Sequence, residues 1–98
     1  MDIEVSELKE RLDKGEKLNI IDVREDWENE EASIEGNTLI PLGDLPSRLS
    51  ELENLKSEEI IVHCKSGGRS GRAKQFMTTQ GFTNVRNLLG GMDAYSQL

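Results

Sequence analysis

The sequence predicts an α/β protein whose parallel β-sheet is covered by helices on both faces. Short runs rich in β-branched residues alternate along the chain with segments whose apolar residues recur at helical spacing. One of these runs, residues 18–23, is apolar enough to be buried on both faces, as strands of parallel sheets are. Strand and helix units of this length are typical of parallel strands joined by crossover helices, which gives a three-layer α/β/α arrangement.

The N-terminal part of the chain contains three predicted strands and three predicted helices. The strands are residues 3–5, 18–23 and 38–40. The helices are residues 6–14, residues 26–31 and a segment through Leu45, Leu49, Leu52 and Leu55. Ser6 is a candidate N-cap of the first helix and Gly15 its stop, while Pro41 ends the third strand.

The C-terminal part contains two further strands, each followed by a helix. The strands are residues 60–63 and 82–88, and the helices are residues 70–80 and 92–98. In an open parallel sheet, functional groups gather at the carboxyl ends of the strands. Two such ends carry polar residues, Asp22-Val23-Arg24 and His63-Cys64, and these are the candidate positions for a site.

Length and composition indicate one domain, residues 1–98, with 35% hydrophobic and 32% charged residues. The net charge of −7 argues against nucleic acid as a partner. No apolar stretch is long enough to cross a bilayer, so we expect no membrane association. The acidic start does not resemble a signal peptide, so we expect a cytoplasmic location. The single cysteine forms no internal disulfide.

The charges are unevenly distributed along the chain. Residues 1–59 carry 18 acids and 7 bases. Residues 60–92 carry no acid and five bases, which are Lys65, Arg69, Arg72, Lys74 and Arg86. Because the only cysteine lies in this cationic segment, the segment is interpreted as a site for a small anion.

The loop after the strand at residues 60–63 has the composition of an anion-binding turn. Gly67 and Gly68 allow the backbone from Lys65 to Ser70 to curl with successive N–H groups facing inward. The helix predicted to begin near Ser70 adds the positive end of its dipole at the same place. Such surroundings favour a Cys64 thiolate and an anionic adduct on its sulfur. A lone cysteine is otherwise more often an inert buried thiol.

Three segments of the chain resemble the rhodanese domain, the sulfurtransferase family. They are IIVHCKSGGRSGRAKQFMTTQGFTNVRNLLGGMDAY, the Asp-Val-Arg-Glu signature within residues 20–25, and NTLIPLGDLPSRLSEL between them. Together they cover nearly all of the chain. The resemblance implies an α/β/α fold with a five-stranded parallel sheet, in which Cys64 takes up a sulfane sulfur as a persulfide.

The resemblance also implies roles for the residues around Cys64. The backbone of Lys65, Ser66, Gly67, Gly68, Arg69 and Ser70 would hold the persulfide. Lys65 and Arg69 would orient an anionic donor such as thiosulfate, Arg24 would line the pocket, and Asp22 would anchor the loop. The acceptor would be cyanide, a thiol or a sulfur-accepting protein. No cofactor is implied, and one histidine with one cysteine is too few for a conventional zinc site.

Two other functions are compatible with a cysteine loop of this kind. Phosphatases of related fold use a cysteine-to-arginine loop one residue longer, and Ser70 stands where that arginine would be, so the loop favours sulfur transfer. A non-catalytic persulfide carrier, or a module that senses oxidants through Cys64, is a second reading.

The sequence also departs from the family pattern at several positions and predicts where some other side chains lie. The sequence reads Ala-Ser-Ile-Glu-Gly-Asn at residues 32–37, where the family usually has Gly-His-Ile-Pro-Gly-Ala, and Tyr95 replaces a common tryptophan. His63 should face away from Cys64, because adjacent strand residues point to opposite faces. Trp27 and Tyr95 are expected in the core. The six acids between Glu25 and Glu35 are expected to form a solvated face.

Overall fold

A four-stranded parallel sheet with the order β2-β1-β3-β4 forms the centre of the protein. The computed structural model describes all of residues 1–98. The strands are β1 (Ile20–Asp22), β2 (Asn37–Leu39), β3 (Ile60–His63) and β4 (Val85–Asn87). β1 and β3 are the two central strands, and their register pairs Asp22 with His63. The two polar strand ends singled out in the sequence therefore lie side by side.

The prediction of a fifth strand is wrong, because the N-terminal segment forms only one isolated β-bridge to the sheet. Ile3 forms an isolated parallel bridge with Leu88. Its N–H donates to the Asn87 carbonyl at 3.0 Å, and its carbonyl accepts from the Leu89 N–H at 2.9 Å. The first helix begins at Val5, so no further extended residues remain to continue the ladder.

The helices occupy the expected places with shifted ends. They are α1 (Val5–Asp13), α2 (Asp26–Glu31), α3 (Leu45–Arg48), α4 (Gly68–Thr79) and α5 (Gly91–Tyr95). Ser6 is not the cap of α1, since the N-cap is Glu4. None of these helices is both long enough and apolar enough to cross a membrane.

The leucine-rich segment is mostly 3-10 helix rather than the α-helix that its spacing predicted. Two 3-10 turns, Leu42–Asp44 and Leu49–Leu55, flank α3. Leu49, Leu52 and Leu55 recur every three residues, and this spacing places their side chains in one row on a 3-10 helix. Leu52 is buried, and its two neighbours in the row pack partly buried against the same core cluster.

The core consists of two apolar clusters, one on each face of the sheet. The larger contains Ile60, Val62 and Cys64 together with residues of α3, α4 and the 3-10 segment. The smaller contains Ile61 and residues of α1 and α5. Because side chains of a strand alternate between faces, Cys64 continues the row of Ile60 and Val62. The two clusters confirm the three-layer α/β/α arrangement.

The segment that departs from the family pattern forms a turn held by amide side chains. Ile34 is fully buried within it. Asn37 donates from Nδ2 to the Ile34 carbonyl at 2.6 Å, and Asn29 donates from Nδ2 to Oδ1 of Asn37 at 2.9 Å. These hydrogen bonds close the turn without the histidine and proline that the family usually has.

Trp27 is not a core residue, contrary to the sequence expectation. Trp27 lies on α2 and is 61% exposed, and the next residue, Glu28, faces inward instead. Glu28 is drawn inward by a capping box at the start of α2 and by an ion pair to Arg69. Tyr95 packs partly buried against the smaller core cluster.

Glu59 joins three elements of the fold at the start of β3. Arg11 of α1 donates to both of its carboxylate oxygens, at 2.9 and 2.8 Å, and Arg86 of β4 donates to one of them at 2.8 Å. The Arg11 hydrogen bonds, opposed by burial and assisted by Arg86, lower the pKa of Glu59 to about 2. The fold therefore stabilises the ionised form of this carboxyl.

We expect the Glu59→Gln variant to be less stable than the parent at neutral pH by on the order of 2 kcal/mol. The folded-state pKa lies below the unfolded value, so this contribution is present above about pH 4.5 and is lost as the pH falls toward 2. Urea unfolding at pH 7, 4 and 2.5 measures the difference. Glu58→Gln is the matched control, because Glu58 is exposed and forms no ion pair. A difference that stays constant with pH would contradict the assignment.

Candidate active site

Cys64 lies at the carboxyl end of the central strand β3, under the start of α4. Its residue exposure is 1%. Its backbone carbonyl accepts a hydrogen bond from the Met92 N–H at 2.9 Å, and the Lys65 carbonyl accepts one from the Asp93 N–H at the same distance. The first turn of α5 therefore holds the carbonyl side of the loop and leaves its N–H groups free to turn toward the sulfur.

Gly91 is required for this contact between α5 and the loop. A Cβ atom at this position would lie 2.5 Å from the Cys64 carbonyl oxygen and 2.6 Å from that of Lys65. Its φ of +56° is also in the left-handed region. The second glycine of the Gly-Gly turn thus allows α5 to approach the backbone of the cysteine loop.

The loop from Lys65 to Ser70 directs hydrogen-bond donors at the Cys64 sulfur. The Gly67 N–H donates to Sγ at 3.0 Å, and the N–H groups of Ser66 and Ser70 also face it. Gly67 is the N-cap of α4 and has a φ of +113°, which an L-residue adopts only with strain. Gly68 begins the helix, so the positive end of the helix dipole lies beside the sulfur.

These donors lower the pKa of the Cys64 thiol. Burial is the largest single influence and would raise the pKa. It is outweighed by hydrogen bonds from the Ser70 hydroxyl and from the N–H groups of Ser70, Gly67 and Ser66. The sulfur is thus a buried atom whose anionic form is stabilised by the backbone, as expected from the glycine loop.

The cations of the acid-free segment are mostly paired with acids from elsewhere in the chain. Arg69 donates to both oxygens of Glu28, at 2.7 and 2.9 Å, and Lys65 lies 2.9 Å from Asp93. Three further pairs join Lys74 to Asp2, and Arg86 to Glu7 and to Glu59. Only Arg72 is exposed and without an ion pair. The free cationic patch that the sequence indicated is therefore absent from the folded protein.

Glu28 is a site residue that the sequence analysis missed. It is 8% exposed, and the hydrogen bonds from Arg69 are the main reason why its pKa falls to about 2. The run of six acids had been interpreted as a solvated face, and this interpretation is wrong for Glu28. Its spacing from Glu25, which forms the capping box of α2, is the local signal that distinguishes it from its neighbours.

Asp22 and Arg24 form a buried ion pair at the end of β1. Arg24 donates from Nε and Nη2 to the Asp22 carboxylate at 3.0 and 2.9 Å, and Asn29 donates to it at 2.9 Å. Burial would raise the pKa of Asp22, but these hydrogen bonds lower it. Asp22 therefore holds Arg24 and α2, and it makes no hydrogen bond to the Lys65–Ser70 backbone, which the sequence analysis had expected it to anchor.

Arg24 lines a cleft of about 230 Å³ beside the cysteine loop. The other walls include Trp27 and Glu28 of α2, Lys65 of the loop and Met92 of α5. A larger cleft of about 390 Å³ contains Ile20, at the amino end of β1, so it lies at the other end of the sheet. The smaller cleft is the one that borders the loop, as the rule for parallel sheets predicts.

His63 is fully buried and takes no part in the hydrogen bonds to the sulfur. Neither ring nitrogen has a hydrogen-bond partner, and Nε2 lies 3.9 Å from the Asp22 carboxylate. Burial lowers the pKa of His63, although Asp22 opposes this shift. The imidazole is therefore held neutral on β3 and does not form a dyad with Cys64.

Asn87 of β4 is a second residue that the sequence analysis missed. Its Nδ2 donates to the Gly67 carbonyl at 3.1 Å, and its Oδ1 accepts from the Ser70 hydroxyl at 2.5 Å. Asn87 thus contacts the loop at two places, and it is 8% exposed. Nothing local in the sequence marks it, because its partners are 17 and 20 residues away.

Comparisons with known proteins agree with this geometry. A family model described as "Rhodanese-like domain" matches residues 4–98. YrkF of Bacillus subtilis, a proposed sulfur carrier protein, is 43% identical over 91 residues, covering 93% of this chain and 48% of YrkF. YtwF of the same organism, a proposed sulfurtransferase, is 38% identical over 94 residues, covering 96% of this chain and 88% of YtwF.

Solved structures lead to the same result. A rhodanese-like domain protein from Staphylococcus aureus is 31% identical and matches with a TM-score of 0.87, covering 97% of this chain and 91% of that protein. The chain spans about half the length of YrkF and most of YtwF. The chain belongs to the rhodanese-like family of sulfurtransferases and sulfur carriers.

Proposed function

We propose that the protein is a sulfurtransferase that moves a sulfane sulfur from a donor such as thiosulfate to cyanide or a thiol through a persulfide on Cys64. The observation that carries the proposal is the donor set around Sγ, with a Gly67 N–H at 3.0 Å at the start of α4. Such a set stabilises a sulfur anion before transfer and a persulfide anion after it.

In the first half of the proposed reaction, the Cys64 thiolate attacks the outer sulfur of thiosulfate. A bond forms between Sγ and this sulfur, and the sulfur–sulfur bond of the donor breaks. Sulfite leaves with the bonding electron pair. The negative charge then lies on the terminal sulfur of the persulfide, where the inward-facing N–H groups of the loop stabilise it.

In the second half, the acceptor attacks the terminal sulfur of the persulfide. The bond between Sγ and the terminal sulfur breaks, and its electron pair returns to Sγ as the thiolate. Cyanide leaves as thiocyanate, and a thiolate acceptor leaves as a persulfide. The loop N–H groups that stabilise the terminal sulfur of the persulfide then stabilise the Sγ thiolate again.

Lys65, Arg69 and Arg24 are proposed to orient the anionic donor. Each is already paired, with Asp93, Glu28 and Asp22 respectively. Of the three, Lys65 is the most exposed, with a side-chain exposure of 63%. Surface ion pairs are weak, so Lys65 can leave Asp93 for a dianion at little cost, whereas Arg69 and Arg24 are held in place by several hydrogen bonds.

A persulfide carrier is the second candidate function. The observation that favours it is the name of YrkF, a proposed sulfur carrier that matches 93% of this chain. A carrier would load sulfur on Cys64 by the same first step and would release it only to a protein acceptor. The two functions differ in whether cyanide or a small thiol completes the cycle.

We expect the protein to convert thiosulfate and cyanide to thiocyanate, and we expect the Cys64→Ser variant to show no turnover. Thiocyanate is followed as its ferric complex, and loading is followed by intact mass after incubation with thiosulfate alone. A mass increase of one sulfur without turnover indicates the carrier. Neither loading nor turnover would exclude both functions.

We expect the Gly67→Ala variant to ionise at Cys64 less readily than the parent. A side chain at a φ of +113° is strained, so the peptide turns and its N–H leaves the sulfur. Losing one hydrogen-bond donor to the sulfur anion destabilises the thiolate. At pH values below the titration midpoint, the fraction of Cys64 present as thiolate then falls by roughly threefold to tenfold. Iodoacetamide alkylation across pH 5–10 measures this.

The neighbouring glycine provides a matched control for this experiment. Gly68 has an ordinary φ, and a Cβ at this position would meet nothing within 4 Å. We expect alkylation of Cys64 in the Gly68→Ala variant to show the same pH dependence as in the parent. Equal shifts in both variants would mean that glycine content, and not the Gly67 N–H, determines the ionisation of Cys64.

A further inference from the structure

The hydroxyl group of Ser70 has two acceptors within reach and one hydrogen to donate. Its Oγ lies 3.3 Å from the Cys64 sulfur and 2.5 Å from Oδ1 of Asn87. A serine hydroxyl donates one hydrogen and accepts through two lone pairs, so it serves one of these acceptors at a time. The short distance to Asn87 makes that bond the stronger one while the sulfur is neutral.

The side-chain amide of Asn87 is fixed in one orientation. Nδ2 donates to the Gly67 carbonyl at 3.1 Å, and this carbonyl has no hydrogen to give. A reversed amide would place Oδ1 against the carbonyl oxygen, so Oδ1 must face Ser70. The backbone N–H of Asn87 donates to Asp2 at 3.0 Å and holds the residue on β4. Oδ1 is therefore a permanent acceptor beside the Ser70 hydroxyl.

We propose that Asn87 is a positioning residue for the reacting sulfur, because its Oδ1 competes with Cys64 for the Ser70 hydrogen and so favours the neutral sulfur over the anion. With a neutral thiol, the S–H donates to Ser70 Oγ and Ser70 donates to Asn87, so each group has a partner. When the thiol loses its proton, the anion attracts the Ser70 hydrogen. Turning that hydrogen away from Asn87 leaves two oxygen atoms 2.5 Å apart with no hydrogen between them.

The loop amides and Asn87 thus act on Cys64 in opposite directions. The N–H groups of Ser66, Gly67 and Ser70 cannot be drawn away from the sulfur by a change of rotamer, whereas the Ser70 hydroxyl can. In the proposed sulfur transfer, Sγ is anionic before attack and neutral in the persulfide, so the Ser70 hydrogen would return to Asn87 on loading. The competition for the Ser70 hydrogen acts on ionisation of the free Cys64 thiol, whether or not the protein transfers sulfur.

The charged groups around the loop keep their partners when Asn87 is replaced. They are Arg69 with Glu28, Lys65 with Asp93, Arg24 with Asp22, Lys74 with Asp2, and Arg86 with Glu7 and Glu59. The pKa values of Asp2, Asp22, Glu28 and Glu59 are lowered, and burial lowers that of His63. These four carboxyl groups therefore stay ionised, and the His63 imidazole stays neutral, in the range where a thiol titrates.

The experiment measures the pH midpoint of Cys64 alkylation by iodoacetamide in Asn87→Ala, with no sulfur donor present. We expect the midpoint to move down by about half a pH unit, which is roughly a threefold higher thiolate fraction below the midpoint. The Gly67 carbonyl keeps the Gly71 N–H as a donor at 2.9 Å, so the loop retains an anchor. A variant that only loosened the loop would move the midpoint up, because the sulfur would lose amide donors.

Two further variants separate competition from structural damage. In the Ser70→Ala background, Asn87→Ala should leave the midpoint unchanged, because no hydroxyl hydrogen remains to be shared. Asn87→Asp keeps an acceptor and adds a negative charge, so its midpoint should move up. Circular dichroism confirms folding, and Asn87→Val replaces Asn87→Ala if the latter is unfolded, since valine suits a strand. An unchanged or higher midpoint in the single variant, or an equal fall in the Ser70→Ala background, overturns the proposal.

Discussion

The hydrogen bonds from the loop backbone to the Cys64 sulfur are the interaction on which the rest of the site depends. Burial of a thiol disfavours its anion, and here the Gly67 N–H at 3.0 Å, the Ser66 and Ser70 N–H groups and the Ser70 hydroxyl together reverse that preference. They can do so because the loop is held from both sides. Its carbonyls accept from the first turn of α5, and its amides continue into the first turn of α4.

The protein has a net charge of −7, and the groups that stabilise the anionic form of Cys64 nevertheless carry no net charge. Paired cations are neutralised by the carboxylates that hold them, as Arg69 is by Glu28. Backbone dipoles cannot be neutralised in this way, and their direction is set by the chain conformation. The ion pairs around the loop therefore fix its shape, and the amides supply the field at the sulfur. Asn87 weakens that field, because its Oδ1 competes with the sulfur for the hydrogen of the Ser70 hydroxyl.

Most of the fold follows from local patterns, and the errors have identifiable causes. The order of strands and helices follows from hydrophobic periodicity, which acts over a few residues. The ends of a strand depend on where its pairing with the neighbouring strand stops. The strand predicted at residues 82–88 is therefore only Val85–Asn87 in the structure. The first strand is reduced to one bridge because α1 begins at Val5. Trp27 is exposed because the adjacent Glu28 occupies the inward position on α2.

The sequence by itself determined where the Cys64 sulfur lies and which residues surround it in the chain. The strand ending at His63, the glycines of the loop and the helix that follows act through short-range backbone preferences, so Cys64 could be placed without coordinates. Only the tertiary structure decided the partners of the charges and of Ser70. Glu28 reaches Arg69 across 41 residues, and Asn87 reaches Ser70 across 17. Such pairings depend on which elements pack together, because a side chain bonds whatever group the fold brings within reach.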